Sequence, residues 1–117
     1  MKKVLIVDDS LISRRMIRQL LSNYNLEIEE AKNGTDALGK IQSTLFDIIF
    51  LDLLMPDING LEILEKIKTD NLQTKVIVIS ADIQETTKAK CFELGAFSFL
   101  NKPPKEDELR NILQKLI

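Results

Sequence analysis

Short apolar runs alternate with segments of helical periodicity from one end of the chain to the other. The runs predict five strands, at Lys3–Val7, Glu27–Ala31, Asp47–Leu51, Lys75–Ile79 and Ser98–Leu100. Between the runs, apolar residues recur at spacings of three and four, which is the period of an amphipathic helix. The first helix has this pattern at Leu11, Ile12, Met16, Ile17, Leu20 and Leu21, and the last at Leu109, Ile112, Leu113 and Leu116. We therefore expect five strands and five helices in alternation.

Helix start signals agree with this division of the chain. Asn59 with Glu62, and Asp82 with Glu85, have the spacing of capping boxes. Pro104 is followed by three acidic residues, at 106 to 108, which is a favourable opening for the last helix. Helices are therefore expected to begin at these three places.

The order of the elements predicts the architecture. Strands that are apolar on both faces and alternate with helices indicate a parallel sheet covered by helices on both sides. Right-handed crossovers then place the carboxyl ends of all the strands along one edge, where ligands of such doubly wound sheets bind. Residues 1–117 are predicted to form one α/β domain, because no linker composition or internal repeat interrupts the pattern.

Composition narrows the classes of function. An apolar fraction of 44% and a charged fraction of 29% are those of a globular protein, and a net charge of −2 argues against nucleic-acid binding. No segment approaches the roughly 20 apolar residues of a membrane span, and Cys91 is the only cysteine, so a cytoplasmic protein is expected. The chain has no histidine, which excludes histidine catalysis and most zinc or copper sites. Any metal must be a hard ion held by oxygen.

Polar residues follow the predicted strands at their carboxyl ends. Asp8 and Asp9 come after the first strand, Asp52 after the third, Ser80 after the fourth and Lys102 after the fifth. Helix capping would explain one of the two adjacent acids but not both. Three carboxylates without histidine or thiolate suit Mg²⁺, which is bound by one or two carboxylates, water and a phosphate ligand. This edge of the sheet is therefore the candidate site.

The segments VDDS, LDLLMPDING, VIVISAD and FLNKPP, in this order and spacing, resemble the receiver domain of two-component response regulators. The resemblance covers essentially the whole chain and is greatest to single-domain receivers of the chemotaxis type. It implies a flavodoxin-like sheet with strand order 2-1-3-4-5. It also implies a signalling protein, which catalyses only its own phosphoryl transfer and slow dephosphorylation, rather than an enzyme that turns over a substrate.

The resemblance assigns the acids. Asp52 would accept a phosphoryl group from a histidine kinase or a phosphotransfer protein, being nucleophilic at neutral pH without a base. Asp9 would bind Mg²⁺ directly and Asp8 largely through water, with Asp52 and the main-chain carbonyl of Leu54 as further ligands. An acid that only caps the following loop is the alternative for Asp52 taken alone.

The resemblance also assigns the remaining polar groups. Lys102 would pair with Asp52 and contact the phosphoryl oxygens, directed inward by a cis peptide bond at Pro103. Ser80 would donate its hydroxyl to a phosphoryl oxygen, and Phe99 would rotate inward to report that movement. Taken alone, Lys102 would be a solvated surface lysine, and Phe99 could equally be a core ring. Phe99 stands where many relatives have tyrosine, so packing must carry the switch.

Two surfaces are implied for partners. The opening of the first helix, around Ile12 and Met16, would dock the phosphodonor, although core packing of one of the two is equally plausible. A target protein would bind the face formed by the fourth helix, the last strand and the last helix. Neither nucleic acid nor membrane insertion is expected.

Three other functions compete with this interpretation. Haloacid-dehalogenase-type phosphatases need their acids as D-x-D with the nucleophile on the first strand, whereas Asp8 and Asp9 are adjacent. A flavodoxin-like electron carrier needs a first loop that binds phosphate, and these two acids would repel that anion. A pseudo-receiver that binds partners without phosphorylation is the third alternative, although all five site positions hold competent residue types.

Overall fold

The computed structural model describes residues 1–117. Ten elements alternate along the chain: β1 (Lys2–Val7), α1 (Leu11–Leu20), β2 (Leu26–Ala31), α2 (Gly34–Ser43), β3 (Ile48–Leu51), α3 (Gly60–Thr69), β4 (Lys75–Ser80), α4 (Glu85–Glu93), β5 (Ser98–Asn101) and α5 (Glu106–Leu116). Each strand matches its predicted range to within one residue at either end. The short apolar runs were therefore sufficient to locate the sheet.

All five strands form one parallel sheet in the order β2-β1-β3-β4-β5, which confirms the predicted doubly wound, flavodoxin-like topology. The register aligns the ends of the central strands, since Val7 pairs with Leu51. The residues that follow, Asp8 and Asp52, therefore leave the sheet side by side. The Asp52 amide donates to the Val7 carbonyl at 2.9 Å, which extends the ladder to the acid itself.

Two apolar clusters cover the two faces of the sheet. Alternate residues of each central strand enter different clusters, as Leu5 and Ile6 do on β1. One cluster joins the sheet to α2, α3 and α4 and includes Ala37, Ile41, Ile63, Leu64, Ile67 and Cys91. The other joins it to α1 and α5 and includes Ile17, Leu21, Leu109, Ile112 and Leu113. The helices therefore lie on both faces, as predicted.

The edge strand β2 departs from the expectation that the strands are apolar on both faces. It carries Glu27, Glu29 and Glu30, and only Ala31 of its six residues is fully buried. An edge strand has a neighbour on one side only, so its side chains can reach water and accept ion pairs. The expectation holds for the central strand β3, which is buried throughout.

Two details of the helices differ from prediction. The structure confirms Asn59 as the N-cap of α3, but α4 begins at Glu85 after Gln84, so the prediction of Asp82 as a cap was wrong. The Asp82 carboxylate instead accepts from the Gln84 amide and forms a turn ahead of the helix. On α1, Leu11, Ile12 and Met16 are exposed, so the apolar stripe is wider than the face that the sheet covers.

Candidate functional site

The topology brings the predicted polar residues to one edge of the sheet. Asp8 and Asp9 occupy the loop after β1, and Asp52 follows β3. One carboxylate oxygen from each of these three acids lies within 4.8 Å of the others. Asp8 and Asp52 are buried, at 1% and 5% exposure, whereas Asp9 is exposed. The edge therefore holds a close group of three acids with one member open to solvent.

The Lys102 ammonium lies between the two buried acids. Its Nζ is 2.9 Å from Asp8 Oδ2 and 3.4 Å from Asp52 Oδ2, so the shorter contact is with Asp8 rather than with the expected Asp52. The Lys102 amide donates to the Ser80 carbonyl at 2.9 Å, and the peptide bond to Pro103 is cis. The end of β5 thus holds the lysine backbone beside the end of β4.

The charges of the site are incompletely balanced. Burial raises the pKa of the Asp52 carboxyl, and the charge of Asp8 raises it further, while Lys102 opposes both effects. Burial lowers the pKa of the Lys102 ammonium, but its hydrogen bond to Asp8 and the charge of Asp52 raise it overall. The group of three carboxylates has one ammonium, which pairs with two of them, so a cation is the ligand that this edge favours.

The donor set fits Mg²⁺. All the available ligand atoms are oxygens, which are the donors of a hard divalent ion, and no nitrogen or sulfur ligand lies in the group. Asp8 Oδ1 is already held by the Ser10 amide at 2.9 Å. The Leu54 amide lies 3.5 Å from Asp52 Oδ1, which keeps the Leu54 main chain next to the acids. Carboxylate and main-chain oxygens, together with water on the exposed side, are the ligand types that Mg²⁺ takes in proteins.

Ser80 and Phe99 lie on neighbouring strands but in different surroundings. The Ser80 side chain is fully buried, and its Oγ accepts a hydrogen bond from the Asp82 amide at 3.1 Å. Phe99 is partly buried, packs against the cluster under α4, and has the Lys88 ammonium 5.5 Å from its ring centroid. The Asp82 carboxylate accepts from the Thr87 hydroxyl at 2.9 Å, so the loop after β4 is bonded to α4.

The loop after β3 is held by residues that sequence reasoning missed. Asp57 accepts hydrogen bonds from the amides of Gly34 and Thr35, both at 2.9 Å, and from the Thr35 hydroxyl at 2.7 Å. These donors, the hydroxyl first, hold the pKa of the Asp57 carboxyl well below its usual range. A Cβ added at Gly60 would lie 2.6 Å from the Asp52 carbonyl oxygen, so any larger residue there must displace the main chain. The MPDING segment contained both residues, but its sequence alone does not reveal these contacts.

The structure is a doubly wound, flavodoxin-like α/β domain whose carboxyl edge carries buried acids, a paired lysine and a hydroxyl. A sequence profile described as the response regulator receiver domain matches residues 4–114. The chain therefore belongs to the response regulator receiver family.

Individual relatives agree with this family. The chain is 42% identical over 119 residues to a Clostridium acetobutylicum protein-glutamate methylesterase/protein-glutamine glutaminase, covering 98% of this chain and 34% of that protein. It is 36% identical to the chemotaxis protein CheY of Listeria monocytogenes, covering 98% of both. The chain thus spans about a third of the first relative's length but nearly all of the second's.

A solved structure supports the same fold. The response regulator TrrA from Thermotoga maritima, in complex with Mg²⁺–BeF, superimposes with a TM-score of 0.88 at 32% identity and covers 100% of both chains.

No helix of the present structure combines the length and the apolar character that crossing a bilayer requires.

Proposed function

We propose that the chain accepts a phosphoryl group on Asp52 from a phosphohistidine of a histidine kinase or phosphotransfer protein, and that this changes its binding to a target protein. The observation that carries the proposal is the group of three carboxylates within 4.8 Å of one another, beside one lysine, at the edge where such sheets bind ligands. Its Mg²⁺ would be held by Asp8, Asp9, Asp52 and the Leu54 carbonyl. When bound, the ion neutralises negative charge during phosphoryl transfer.

The residues of the chain then have distinct roles in the transfer. An oxygen of Asp52 attacks the phosphorus, the bond from phosphorus to the donor's imidazole nitrogen breaks, and the imidazole keeps the electron pair. Lys102, already 3.4 Å from Asp52 Oδ2, places its ammonium beside the incoming phosphoryl oxygens. Asp52 needs no base, because a carboxylate is nucleophilic in its ionised form, which the neighbouring Lys102 favours against burial.

The same residues supply a response to phosphorylation. Ser80 Oγ now accepts from the Asp82 amide, and its hydroxyl proton is free to bond a phosphoryl oxygen. A shift of Ser80 toward Asp52 would move the loop after β4, which Asp82 and Thr87 join to α4. Phe99, which is packed under α4, would change position with it. We propose the face of α4, β5 and α5 as the surface where a target protein reads this change.

The phosphodonor is proposed to dock at the opening of α1. Ile12 is 77% exposed and Met16 36%, so neither side chain is used by the core and both are open to a partner. They lie on the helix that directly follows the loop of Asp8 and Asp9. A donor bound there would have its phosphohistidine close to the carboxyl edge.

The central test is labelling with a small phosphodonor. The protein is incubated with acetyl phosphate in the presence of Mg²⁺ or of EDTA, and intact mass is measured. We expect one added phosphoryl group with Mg²⁺, little with EDTA, and none on Asp52→Asn. Asp47→Asn is the matched control, because it makes the same change just before β3, at its opposite end, and should label like the wild type.

Three outcomes would contradict the proposal. Absence of phosphoryl mass on the folded wild type would favour a pseudo-receiver, and equal labelling of Asp52→Asn would show that another residue is the acceptor. Sustained turnover of small phosphoesters would favour a phosphatase.

The response step is tested separately with Ser80→Ala, which should still gain phosphoryl mass but lose the change in amide exchange of α4.

A further inference from the structure

A partly buried arginine outside the proposed reacting groups donates a hydrogen bond to the main chain between the two adjacent acids. Arg14 lies in α1, with its side chain only 12% exposed. Its Nη1 donates to the carbonyl oxygen of Asp8 at 2.7 Å, and its Nε donates to Glu30 Oε1 at 2.9 Å. One planar guanidinium therefore connects the acid loop to the edge strand β2.

Glu30 is itself fixed from several sides. Its second oxygen, Oε2, accepts from Arg18 Nε at 2.8 Å, and its main-chain carbonyl accepts from Lys40 Nζ at 2.7 Å. Burial raises the pKa of the Glu30 carboxyl, but the hydrogen bonds from Arg18 and Arg14 hold it below its usual value. Glu30 is therefore a charged acceptor that keeps the Arg14 guanidinium in one orientation.

The hydrogen bond from Arg14 to the Asp8 carbonyl matters because β1 ends at Val7, so this carbonyl lies beyond the strand. The Asp8 amide still bonds to the Ala31 carbonyl at 3.1 Å, but the Asp8 carbonyl is paired by Arg14 instead. That carbonyl belongs to the peptide bond between Asp8 and Asp9. The orientation of this peptide bond sets the direction in which the exposed Asp9 side chain leaves the loop. A guanidinium with two fixed donors can hold the peptide in one orientation, whereas a flexible ammonium cannot.

We infer that Arg14, oriented by Glu30, is a positioning residue that holds the Asp8–Asp9 peptide in the geometry that binds Mg²⁺. This inference rests on the proposed function, since it assigns Asp8 and Asp9 as ligands. Groups that orient metal ligands typically change metal affinity by about 10- to 100-fold when removed. Loss of the Arg14 bond should lie near the lower figure, because the Asp8 carboxylate keeps its own bonds to Ser10 and Lys102.

The sign of the effect separates positioning from electrostatics. Removing a positive charge near an acid cluster should by itself strengthen cation binding, because repulsion of the metal falls. Loss of positioning should weaken it. Arg18 is the matched control, since it bonds the same Glu30 carboxylate but makes no bond to Asp8.

The experiment measures Mg²⁺ affinity of the unphosphorylated full chain by calorimetric titration, with the backbone amide shifts of Asp9 and Ser10 as a local readout. We expect about tenfold weaker binding for Arg14→Met. Arg14→Lys should bind nearly as weakly, although it keeps the charge, and Glu30→Gln should be intermediate. Arg18→Met should remain within twofold of the wild type or bind more tightly. Urea unfolding verifies that each variant is folded.

Several results would overturn the inference. Mg²⁺ affinity of folded Arg14→Met equal to or above that of the wild type would do so. Wild-type Mg²⁺ affinity of Arg14→Lys, or equal losses of affinity in Arg14→Met and Arg18→Met, would also overturn it. If the wild type neither binds Mg²⁺ nor gains phosphoryl mass, the proposed function fails together with this inference. If the wild type does both and Arg14→Met is unchanged, only the positioning role is wrong.

Discussion

The close approach of Gly60 to the main chain of Asp52 makes a specific prediction for Gly60→Ala. The added Cβ would lie 2.6 Å from the Asp52 carbonyl oxygen and 2.7 Å from Leu53 Cα, whereas Cβ contacts under 3.0 Å essentially never occur. Moving the Cβ and the Asp52 carbonyl oxygen apart from 2.6 to 3.0 Å requires a shift of at least 0.4 Å. Both neighbours are main-chain atoms held by the Gly60 amide's bond to the Leu53 carbonyl at 2.9 Å, so no side chain can rotate away.

The cost follows from the rigidity of this contact. Overpacking costs about 1–3 kcal/mol, and contact with main chain favours the upper value, while alanine recovers up to about 1 kcal/mol of helix propensity. We therefore expect Gly60→Ala to lower the free energy of unfolding by about 2 kcal/mol. At an unfolding entropy of about 2.1 cal/mol/K per residue, this lowers Tm by roughly 8 °C.

Gly39→Ala is the matched control for this prediction. Gly39 also lies in a helix, but a Cβ added there meets no atom within 4 Å. Alanine should raise the free energy of unfolding by about 0.5–1 kcal/mol, or Tm by roughly 2–4 °C. Urea and thermal unfolding followed by circular dichroism measure both variants. Equal stability of the two variants would refute the argument, because propensity alone would then explain Gly60.

Three further predictions concern the charges of the site. The raised pKa of Asp52 means that its negative charge destabilises the fold at pH 7, so Asp52→Asn should raise the free energy of unfolding there by about 1 kcal/mol. In urea titrations this gain should vanish below about pH 4, where the carboxyl is protonated in both the folded and the unfolded chain. Asp57→Asn should lower the free energy of unfolding at pH 7, because the lowered pKa of Asp57 means that its charge stabilises the fold above the unfolded pKa of about 3.9. The difference in unfolding free energy between wild type and variant should shrink on acidification to pH 3. Mg²⁺ at ten times its Kd should raise the unfolding free energy by about 1.4 kcal/mol and Tm by roughly 6 °C, and EDTA or Asp9→Asn should remove this gain in thermal scans.

Sequence alone was sufficient to predict the sheet and the polar residues at its carboxyl edge. The runs of β1, β3 and β4 are buried on both faces, which makes them nearly continuous apolar segments that are easily recognised. Parallel strands end at one edge, so the polar residue after each run could be assigned to the same site without coordinates. The receiver family then followed from the order of those residues.

The partners within that edge could not be predicted in the same way. Whether Lys102 lies nearer Asp8 or Asp52 is decided by a difference between 2.9 and 3.4 Å, which depends on how β5 sits in the sheet. The Arg14 bond joins a side chain to a main-chain carbonyl, so the identity of the accepting residue carries no signal for it. Exposure of Ile12 was equally undetermined, because helical spacing does not show how wide a face the sheet covers.

The acidic edge strand also affects how two copies of the protein would meet. Strand β2 lies at one end of the sheet with an unpaired side that could extend the ladder into another molecule. The glutamates of this strand are each ion-paired within the molecule: Glu27 with Lys3, Glu29 with Lys40, and Glu30 with Arg14 and Arg18. Charged side chains on an edge strand make it a poor template for pairing with another sheet, because a second strand would have to desolvate them. The paired charges of β2 therefore oppose edge-to-edge aggregation through the cost of removing them from water.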